Sequence, residues 1–270
     1  MSASRLLRDH RVVFAGVGVP LLASVLAKRQ QAPDLTIVLE GGIIGPSMLA
    51  GKLPISTNEM RAARHAAMLT AIADVFLLAQ RGFLHYGFLG AAQIDMHGNI
   101  NTSVIGPVER PRVRLPGTGG ANDIASLCNE VLVVTAHESR RFVERVDFVT
   151  SPGHLGGGDA REKAGLISQG PSTVVTDLAL LDFEPESKRM RLRALQPGVS
   201  VEDVRRHTGF ELLVHPEVGE LRPPAAEELR ILRELDSGAA GGDREATRGN
   251  HGDQPEGRAA RPVLEHRDGI

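Results

Sequence analysis

Short apolar runs rich in β-branched residues alternate with more polar stretches along most of this 270-residue chain. Runs of near-continuous apolar character are typical of buried strands. We predict strands at 11–19, 35–39, 89–94, 100–105, 129–135, 148–150 and 172–178. Helices are predicted at 21–29, 59–67, 123–128, 200–207 and 224–235. Strands that alternate with helices in the first half predict a mainly parallel α/β sheet.

The second half adds antiparallel hairpins to this pattern. Residues 97–99 (H-G-N) have the composition of a hairpin turn, and the runs 178–183 and 189–195 can pair across a charged segment. Ser200 stands at a helix N-cap position, with Asp203 at the capping-box offset. We therefore expect a mixed sheet.

The composition changes after residue 236. The only larger aliphatic residues there are Val263, Leu264 and Ile270, among Gly, Arg, Asp, Glu and Pro. Such a segment cannot bury enough apolar surface to offset its ordering entropy. We expect one domain over 1–236 and a disordered polar tail over 237–270.

Composition excludes several classes of function. Aromatic residues are 3% and the formal net charge is −2, which argues against a protein that stacks on or neutralises nucleic acid. Cys128 is the single cysteine, so an internal disulfide is excluded and a reducing compartment is indicated. No apolar stretch approaches the roughly 20 residues that span a bilayer. We expect a cytoplasmic protein with no nucleic-acid or membrane partner.

Glu40 is the most informative residue of the chain. It closes the apolar run 35–39 and is followed at once by Gly41 and Gly42. Burying an unpaired carboxylate is costly, so folding explains this position poorly. A reactive glutamate on a rigid strand edge would account for it, with the glycines leaving room for a substrate. The alternative is a glutamate that forms a salt bridge or caps the following turn.

Three further loops are rich in small residues. In 16–20 (G-V-G-V-P), two glycines between a strand and a helix let backbone amides approach an anion or oxyanion, although a tight turn explains the motif equally well. The loop 90–93 (G-A-A-Q) also permits close backbone approach. The loop 117–122 (G-T-G-G-A-N) precedes a predicted helix and could cradle phosphate or a pantetheine arm. The alternative for this last loop is a flexible connection.

Two polar segments receive simpler interpretations. Asp95 and His97 suggest a metal site, but no third ligand stands at usable spacing. We predict no metal site and interpret 95–99 as a hydrogen-bonded turn. The segment 137–142 (H-E-S-R-R-F) is interpreted as the solvated start of a helix.

Taken in order, these motifs resemble the B (β) subunit of family I coenzyme A transferases, most closely the B-subunit type of glutaconate CoA-transferase. The matching segments lie within about residues 11–235 and are G-V-G-V-P at 16–20, L-A-K-R at 26–29, A-P-D at 32–34, E-G-G at 40–42, G-A-A-Q-I-D-M-H-G-N-I-N at 90–101, G-T-G-G-A-N at 117–122, H-E-S-R-R-F at 137–142, V-T-S-P-G at 149–153 and T-G-F at 208–210. One such motif is weak evidence, whereas the ordered series is specific.

The resemblance implies a three-layer α/β fold with an open mixed sheet, as in CoA transferases and certain sugar-phosphate isomerases. It implies that Glu40 is the nucleophile of a CoA transferase and carries CoA as a glutamyl thioester. Amides of Gly16, Val17 and Gly18 would bind the oxyanion. The implied CoA-binding residues are Gly90, Ala91, Ala92, Gln93, Gly117, Gly119, Gly120, Ala121 and Asn122. CoA would be a substrate, no cofactor would be bound permanently, and a companion A subunit would complete the site.

One departure from the family pattern lies next to Glu40. Family members usually carry Asn or Ser at the position of Gly41, so a side chain that orients the carboxylate is missing here. Two other functions stay open. One is an acyl-CoA hydrolase on the same fold, similar to the ring-opening steroid CoA hydrolases, which share the later motifs but lack a glutamate at this position. The other is a non-catalytic module that binds CoA or a sugar phosphate.

Overall fold

The structure is a computed structural model that describes residues 1–236. Its α-helices are α1 (Ser2–Arg5), α2 (Val19–Gln30), α3 (Ile72–Gln80), α4 (Ala121–Leu127), α5 (Ala160–Lys163), α6 (Val201–Arg206) and α7 (Ala226–Asp236). Its strands are β1 (Val12–Phe14), β2 (Thr36–Leu39), β3 (Ile43–Ile44), β4 (Met68–Leu69), β5 (Tyr86–Leu89), β6 (Gln93–Ile94), β7 (Ile100–Asn101), β8 (Val104–Ile105), β9 (Val113–Arg114), β10 (Glu130–Val134), β11 (Gly170–Val175), β12 (Ala179–Phe183), β13 (Met190–Leu195) and β14 (Leu213–Glu220). The tail predicted at 237–270 lies outside the described residues.

Ten strands form one mixed sheet in the order β14-β13-β12-β11-β10-β5-β1-β2-β3-β4. Its centre, from β11 to β2, is parallel. Antiparallel pairs flank this centre, with β12 and β13 on one side and β3 and β4 on the other. Two small hairpins, β6–β7 and β8–β9, lie outside the large sheet. The predicted mixed sheet and the predicted pairing of 178–183 with 189–195 are confirmed.

Helices cover both faces of the sheet. Neighbouring side chains of a strand point to opposite faces, so Val13 and Ile37 pack into a core with α1, α2 and α7. Phe14 and Val38 pack into a second core with α3, α4 and α6. The two cores on either side of one sheet give the predicted three-layer α/β fold, which is confirmed.

The predicted helix 59–67 is mostly absent. Only Met60–Ala63 is helical, as a 3₁₀ helix. The chain becomes extended at Arg64, with ψ of 125°, and His65 adopts a left-handed φ of 52°. Pairing of β4 with β3 at the sheet edge outweighs the local helical composition.

Two predicted strands also differ from the structure. The run 89–94 is split, because the chain leaves the large sheet after β5 and re-forms as β6 in a separate hairpin. Residues 148–150 form no strand; the following Ser151 makes one isolated bridge to Ile100. In both places the chain crosses between layers instead of extending a sheet.

The segment 137–142 is not a solvated helix start. His137 is 3% exposed and Phe142 is 0% exposed, and their rings stack with centroids 4.0 Å apart. Burial lowers the pKa of His137 to about 4, so the imidazole is neutral at pH 7. Burial of this aromatic pair outweighs the polar composition of the segment.

The other predicted helices are present within a few residues of their expected ends. The capping box of α6 is complete, since Ser200 Oγ accepts from Asp203 N at 3.1 Å and Asp203 Oδ2 accepts from Ser200 N at 3.1 Å. Among the described helices, none combines the length and the apolar character needed to cross a membrane.

Candidate active site

The central parallel strands end at one edge of the sheet. β1 lies between β2 and β5, in parallel register with both. Extending the register by two residues past the end of β1 places Gly16 beside Glu40, and Gly90 follows β5 at the same edge. In open α/β sheets this edge is where ligands bind. Three motifs that are far apart in the sequence therefore meet.

The Glu40 carboxylate lies on the face of the sheet that carries α3 and α4. A Cβ atom built on Gly120 would lie 2.7 Å from Glu40 Oε1 and 2.7 Å from Phe76 Cζ. The carboxylate and the Phe76 ring therefore both lie against the bare backbone of Gly120. Glu40 is half-buried, and within residues 1–236 its side chain forms no hydrogen bond or ion pair. The alternative of a salt-bridged or turn-capping glutamate is not what these residues show.

The loop 16–18 joins β1 to the N-terminus of α2. Gly18 is the N-cap residue, and its φ of 77° favours glycine. The first turn of α2 has no acidic residue and no side-chain cap. A Cβ atom on Gly16 or Gly18 would meet nothing within 4 Å. The positive end of a twelve-residue helix is therefore open beside Glu40.

The loop 117–122 is held over this edge by two neighbouring segments. Gly117 N donates to Thr102 O at 2.9 Å, and Asn122 Nδ2 donates to Thr150 O at 2.9 Å. Between these anchors, Gly119 has open space around it and Gly120 contacts Glu40. We call residues 16–18, Glu40, Gly90 and Gly120 the open edge. Ala121 begins α4 directly behind it.

The loop 90–93 reaches the edge with its first residue and then turns inward. Gly90 is exposed, whereas Ala91 is buried and its carbonyl accepts from Arg141 Nη1 at 2.8 Å. Ala92 N donates to Asn101 O at 3.3 Å. Gln93 is 6% exposed, and its side chain accepts from Asn101 and donates to Asp147. The side chain of Gln93 is thus occupied by internal bonds.

Asp95 to Asn99 form a turn whose polar groups bond one another. Asp95 is 4% exposed and accepts from Asn99 Nδ2 at 2.9 Å and from His97 N at 3.0 Å. Burial raises the pKa of Asp95, and the bonds from Asn99 oppose that rise. His97 Nδ1 lies 3.1 Å from Lys188 O. We call residues 95–99 the closed turn; its contacts are those of the hydrogen-bonded turn that the sequence indicated.

Three residues beside Glu40 were not predicted from the sequence. Phe76 belongs to α3, where the sequence shows only a short apolar run, and Thr57 and Asn58 precede the wrongly predicted helix. A Cβ atom on Gly41 would lie 2.7 Å from Thr57 O and would overlap Asn58 Oδ1. Only the packing of loops against the strand ends brings these residues to Glu40, and no local pattern indicates it.

Comparison with known proteins supports this description of the fold. The sequence model of the family described as "Coenzyme A transferase" matches residues 2–207. The chain is 39% identical to the B subunit of 3-oxoadipate CoA-transferase from Pseudomonas knackmussii over 241 residues, which is 89% of this chain and 92% of that protein. It is 29% identical to the cholesterol ring-cleaving hydrolase IpdB subunit of Rhodococcus jostii, covering 83% of this chain and 87% of that protein.

A solved structure is similar over nearly the same range. The crystal structure of glutaconate coenzyme A-transferase from Acidaminococcus fermentans superposes with a TM-score of 0.83 at 35% identity, covering 88% of this chain and 93% of that chain. The resemblance to B subunits of the glutaconate type is thereby confirmed. The chain belongs to the coenzyme A transferase family.

Proposed function

We propose that this chain is the B-type subunit of a CoA transferase, which moves CoA between an acyl-CoA and a free carboxylic acid through Glu40. The observation that carries the proposal is the Glu40 carboxylate at the open edge, without an ion pair among residues 1–236. A nucleophile must keep its lone pairs available, whereas a structural carboxylate is normally paired or hydrogen-bonded. CoA enters as a substrate, and no permanently bound group takes part.

The reaction proceeds by exchange at two carbonyl carbons. A carboxylate oxygen of Glu40 attacks the thioester carbonyl of the acyl-CoA; the C–S bond breaks, CoA thiolate leaves and a mixed anhydride remains. The thiolate then attacks the Glu40 carbonyl and expels the acyl group as a carboxylate. Glu40 now holds CoA as a thioester, and an acceptor carboxylate reverses both steps. Dividing one difficult exchange into easier steps is the benefit of covalent catalysis.

The loop 16–18 is placed to stabilise the charge that develops in each step. The tetrahedral oxyanion forms next to Glu40, where the amides of Gly16, Val17 and Gly18 and the N-terminus of α2 are open. Removing one such donor typically costs roughly 3 kcal/mol of transition-state stabilisation. These backbone groups are fixed before the substrate arrives, because the loop joins a buried strand to a helix.

The CoA arm is proposed to run along the glycine-bearing loops of the same edge. Gly90 and the segment from Gly117 to Asn122 present exposed backbone there. Ala91, Ala92 and Gln93 lie deeper, so we propose that they act by shaping the loop. Small residues allow a narrow arm to approach the main chain closely.

A companion A subunit is proposed to dock beside the open edge. The segment that follows Glu40 exposes large apolar side chains, and Thr70 N holds it there by donating to Gly42 O at 2.8 Å. The exposed side chains are Ile55, Met60, Met68, Leu69 and Ile72. Apolar patches of this kind mark protein interfaces. The partner would wall the cavity in which Glu40 reacts.

The docking proposal is tested with Met60→Glu, because Met60 is 75% exposed. We expect it to abolish co-purification with the A subunit. Ile167→Glu is the matched control, since Ile167 is 91% exposed on another part of the surface, and it should leave co-purification intact. Equal behaviour of the two variants would contradict this docking surface.

The activity is tested on the complex with its A subunit, using a panel of acyl-CoA donors and carboxylate acceptors. Treatment with acyl-CoA followed by hydroxylamine or borohydride should modify Glu40. Glu40→Gln should lower kcat on the order of 10⁴-fold or more, as loss of a covalent nucleophile does. Glu130→Gln is the control, because Glu130 is another half-buried glutamate, at the opposite end of a strand. A fully active complex with unmodified Glu40 would refute the proposal.

The similarity to a hydrolase subunit keeps acyl-CoA hydrolysis as a second candidate. A hydrolase that uses other residues should survive Glu40→Gln, whereas a transferase should not. Release of free CoA without any acceptor acid would favour the hydrolase. Binding of CoA with neither activity, even with the A subunit present, would favour a non-catalytic module.

A further inference from the structure

Gly41 follows Glu40 directly and has no conformational need to be glycine. Unlike Gly42, whose φ is 91°, it is not among the residues with positive φ. The requirement comes from a neighbour, since a Cβ atom on Gly41 would lie 2.7 Å from Thr57 O and 3.0 Å from Asn58 Cα. It would also overlap Asn58 Oδ1. The turn around residue 58 therefore rests on the bare α-carbon of the residue after Glu40.

This turn is held together by its own hydrogen bonds. Ile55 N donates to Glu59 Oε2 at 2.8 Å, and Glu59 N donates to Ser56 O at 3.2 Å. Asn58 N donates to Ser56 Oγ at 3.3 Å. These bonds fix the backbone of Asn58 against Gly41, so the Asn58 side chain stays beside the strand end that carries the Glu40 carboxylate.

The side-chain amide of Asn58 is uncommitted. Within residues 1–236 it forms no hydrogen bond, and the residue is exposed. An asparagine amide carries two N–H donors, which suit a carboxylate acceptor. Glu40 likewise has no side-chain partner in the same part of the chain. A free donor and a free acceptor thus flank one glycine.

We propose that Asn58 is a positioning residue for Glu40, which rests on the proposed function above. Rotation of the Asn58 amide directs Nδ2 to one carboxylate oxygen and leaves the other oxygen to attack. Gly41 makes this possible, because any side chain at 41 would displace the turn. The two positions form a complementary pair, in which residue 58 supplies the polar group that residue 41 lacks.

The test uses the complex with its A subunit and compares Asn58→Ala with Asn129→Ala. We expect Asn58→Ala to lower kcat about tenfold to hundredfold, the range for a hydrogen bond to a charged group, with KM unchanged. The thermal midpoint should stay the same, because the side chain is exposed and unbonded. Asn129→Ala, which removes a single 3.3 Å bond to Gly82 O far from Glu40, should keep wild-type kcat.

A pH profile separates positioning from a merely structural role. Asn58→Asp keeps the shape but adds a negative charge beside Glu40, which opposes ionisation of that carboxylate. The acidic limb of the kcat profile should therefore move to higher pH. Gly41→Ser should lower kcat alone, and the double variant Gly41→Ser/Asn58→Ala should recover part of it, because the serine hydroxyl then has room to serve Glu40.

The outcomes divide cleanly between the two proposals. An active Glu40→Gln complex overturns the proposed function, and this inference with it. An inactive Glu40→Gln complex, together with wild-type kcat and an unshifted pH profile for Asn58→Ala and Asn58→Asp, overturns the role of Asn58 alone.

Discussion

Glu40 and Asp95 are both carboxylates that follow a strand within a glycine-bearing motif, and the structure treats them in opposite ways. Asp95 lies in the closed turn and accepts hydrogen bonds from Asn99 and His97. Glu40 lies at the open edge and accepts none from residues 1–236. A buried carboxylate is stable only when donors surround it, so Asp95 is explained by folding. A half-buried carboxylate beside open backbone amides is explained by chemistry.

The sharpest way to break this contrast is to remove a partner from the closed turn. Asn99→Ala should destabilise the protein by about 3–5 kcal/mol, because it takes a donor from a buried charge. It also removes the acceptor of Gly153 N and Leu155 N. Urea unfolding measures this cost. Asn129→Ala should cost under about 1 kcal/mol, since its bond is long and exposed.

The open edge should show the converse behaviour in the same unfolding measurement. Glu40→Gln should change the free energy of unfolding by less than about 0.5 kcal/mol, because no described contact of the carboxylate is lost. If Glu40→Gln destabilises the protein as much as Asn99→Ala does, Glu40 is a structural residue and the contrast fails.

Gly120→Ala tests the open edge by activity instead of stability. The added Cβ would lie 2.7 Å from both Glu40 Oε1 and Phe76 Cζ, so the carboxylate must shift. A displacement of this kind can lower kcat about a hundredfold. In the control Gly156→Ala, the nearest atom is Ala160 Cβ at 4.0 Å, and kcat should not change. Equal kcat for both variants would show that Glu40 does not need its present position.

Acid should weaken the closed side of the molecule through its buried histidines. His154 Nε2 lies 2.9 Å from Pro171 O, and burial lowers the pKa of His154 to about 4, as it does for His137. The unfolded chain binds protons near pH 6.5 and the folded chain does not. Stability is therefore complete above pH 6.5 and is lost as pH falls towards 4. Each histidine should contribute about 2 kcal/mol of loss between pH 7 and pH 5.

His137→Gln and His154→Gln should each remove one such share from the difference in unfolding free energy between pH 7 and pH 5. The pKa of Asp95 is raised by burial, so its protonation acts in the opposite direction, and the comparison is best kept at pH 5 and above. An unchanged pH dependence in the double variant would show that these imidazoles are not buried as neutral groups.

Much of the open edge was predictable from the sequence, because it depends on strand ends. Apolar runs locate β1 and β2, parallel strands place their carboxyl ends together, and glycines mark the loops that follow. The positions of Phe76 and Asn58 were not predictable, since loop packing over long sequence distances brings them to Glu40. The burial of His137 was missed for the same reason: stacking on Phe142 is a tertiary contact that no local pattern shows.

Gln93 gives the smallest and most specific test of the contrast, because it lies between the two regions in the sequence. The family resemblance places it among CoA-binding residues, whereas its side chain bonds Asn101 and Asp147 inside the protein. Gln93→Leu should cost about 1 kcal/mol of stability through these lost bonds. KM for the acyl-CoA should stay the same, because the side chain faces inward. A large rise in KM with unchanged stability would instead make the Gln93 side chain part of the open edge, and the boundary between the two regions would have to be redrawn.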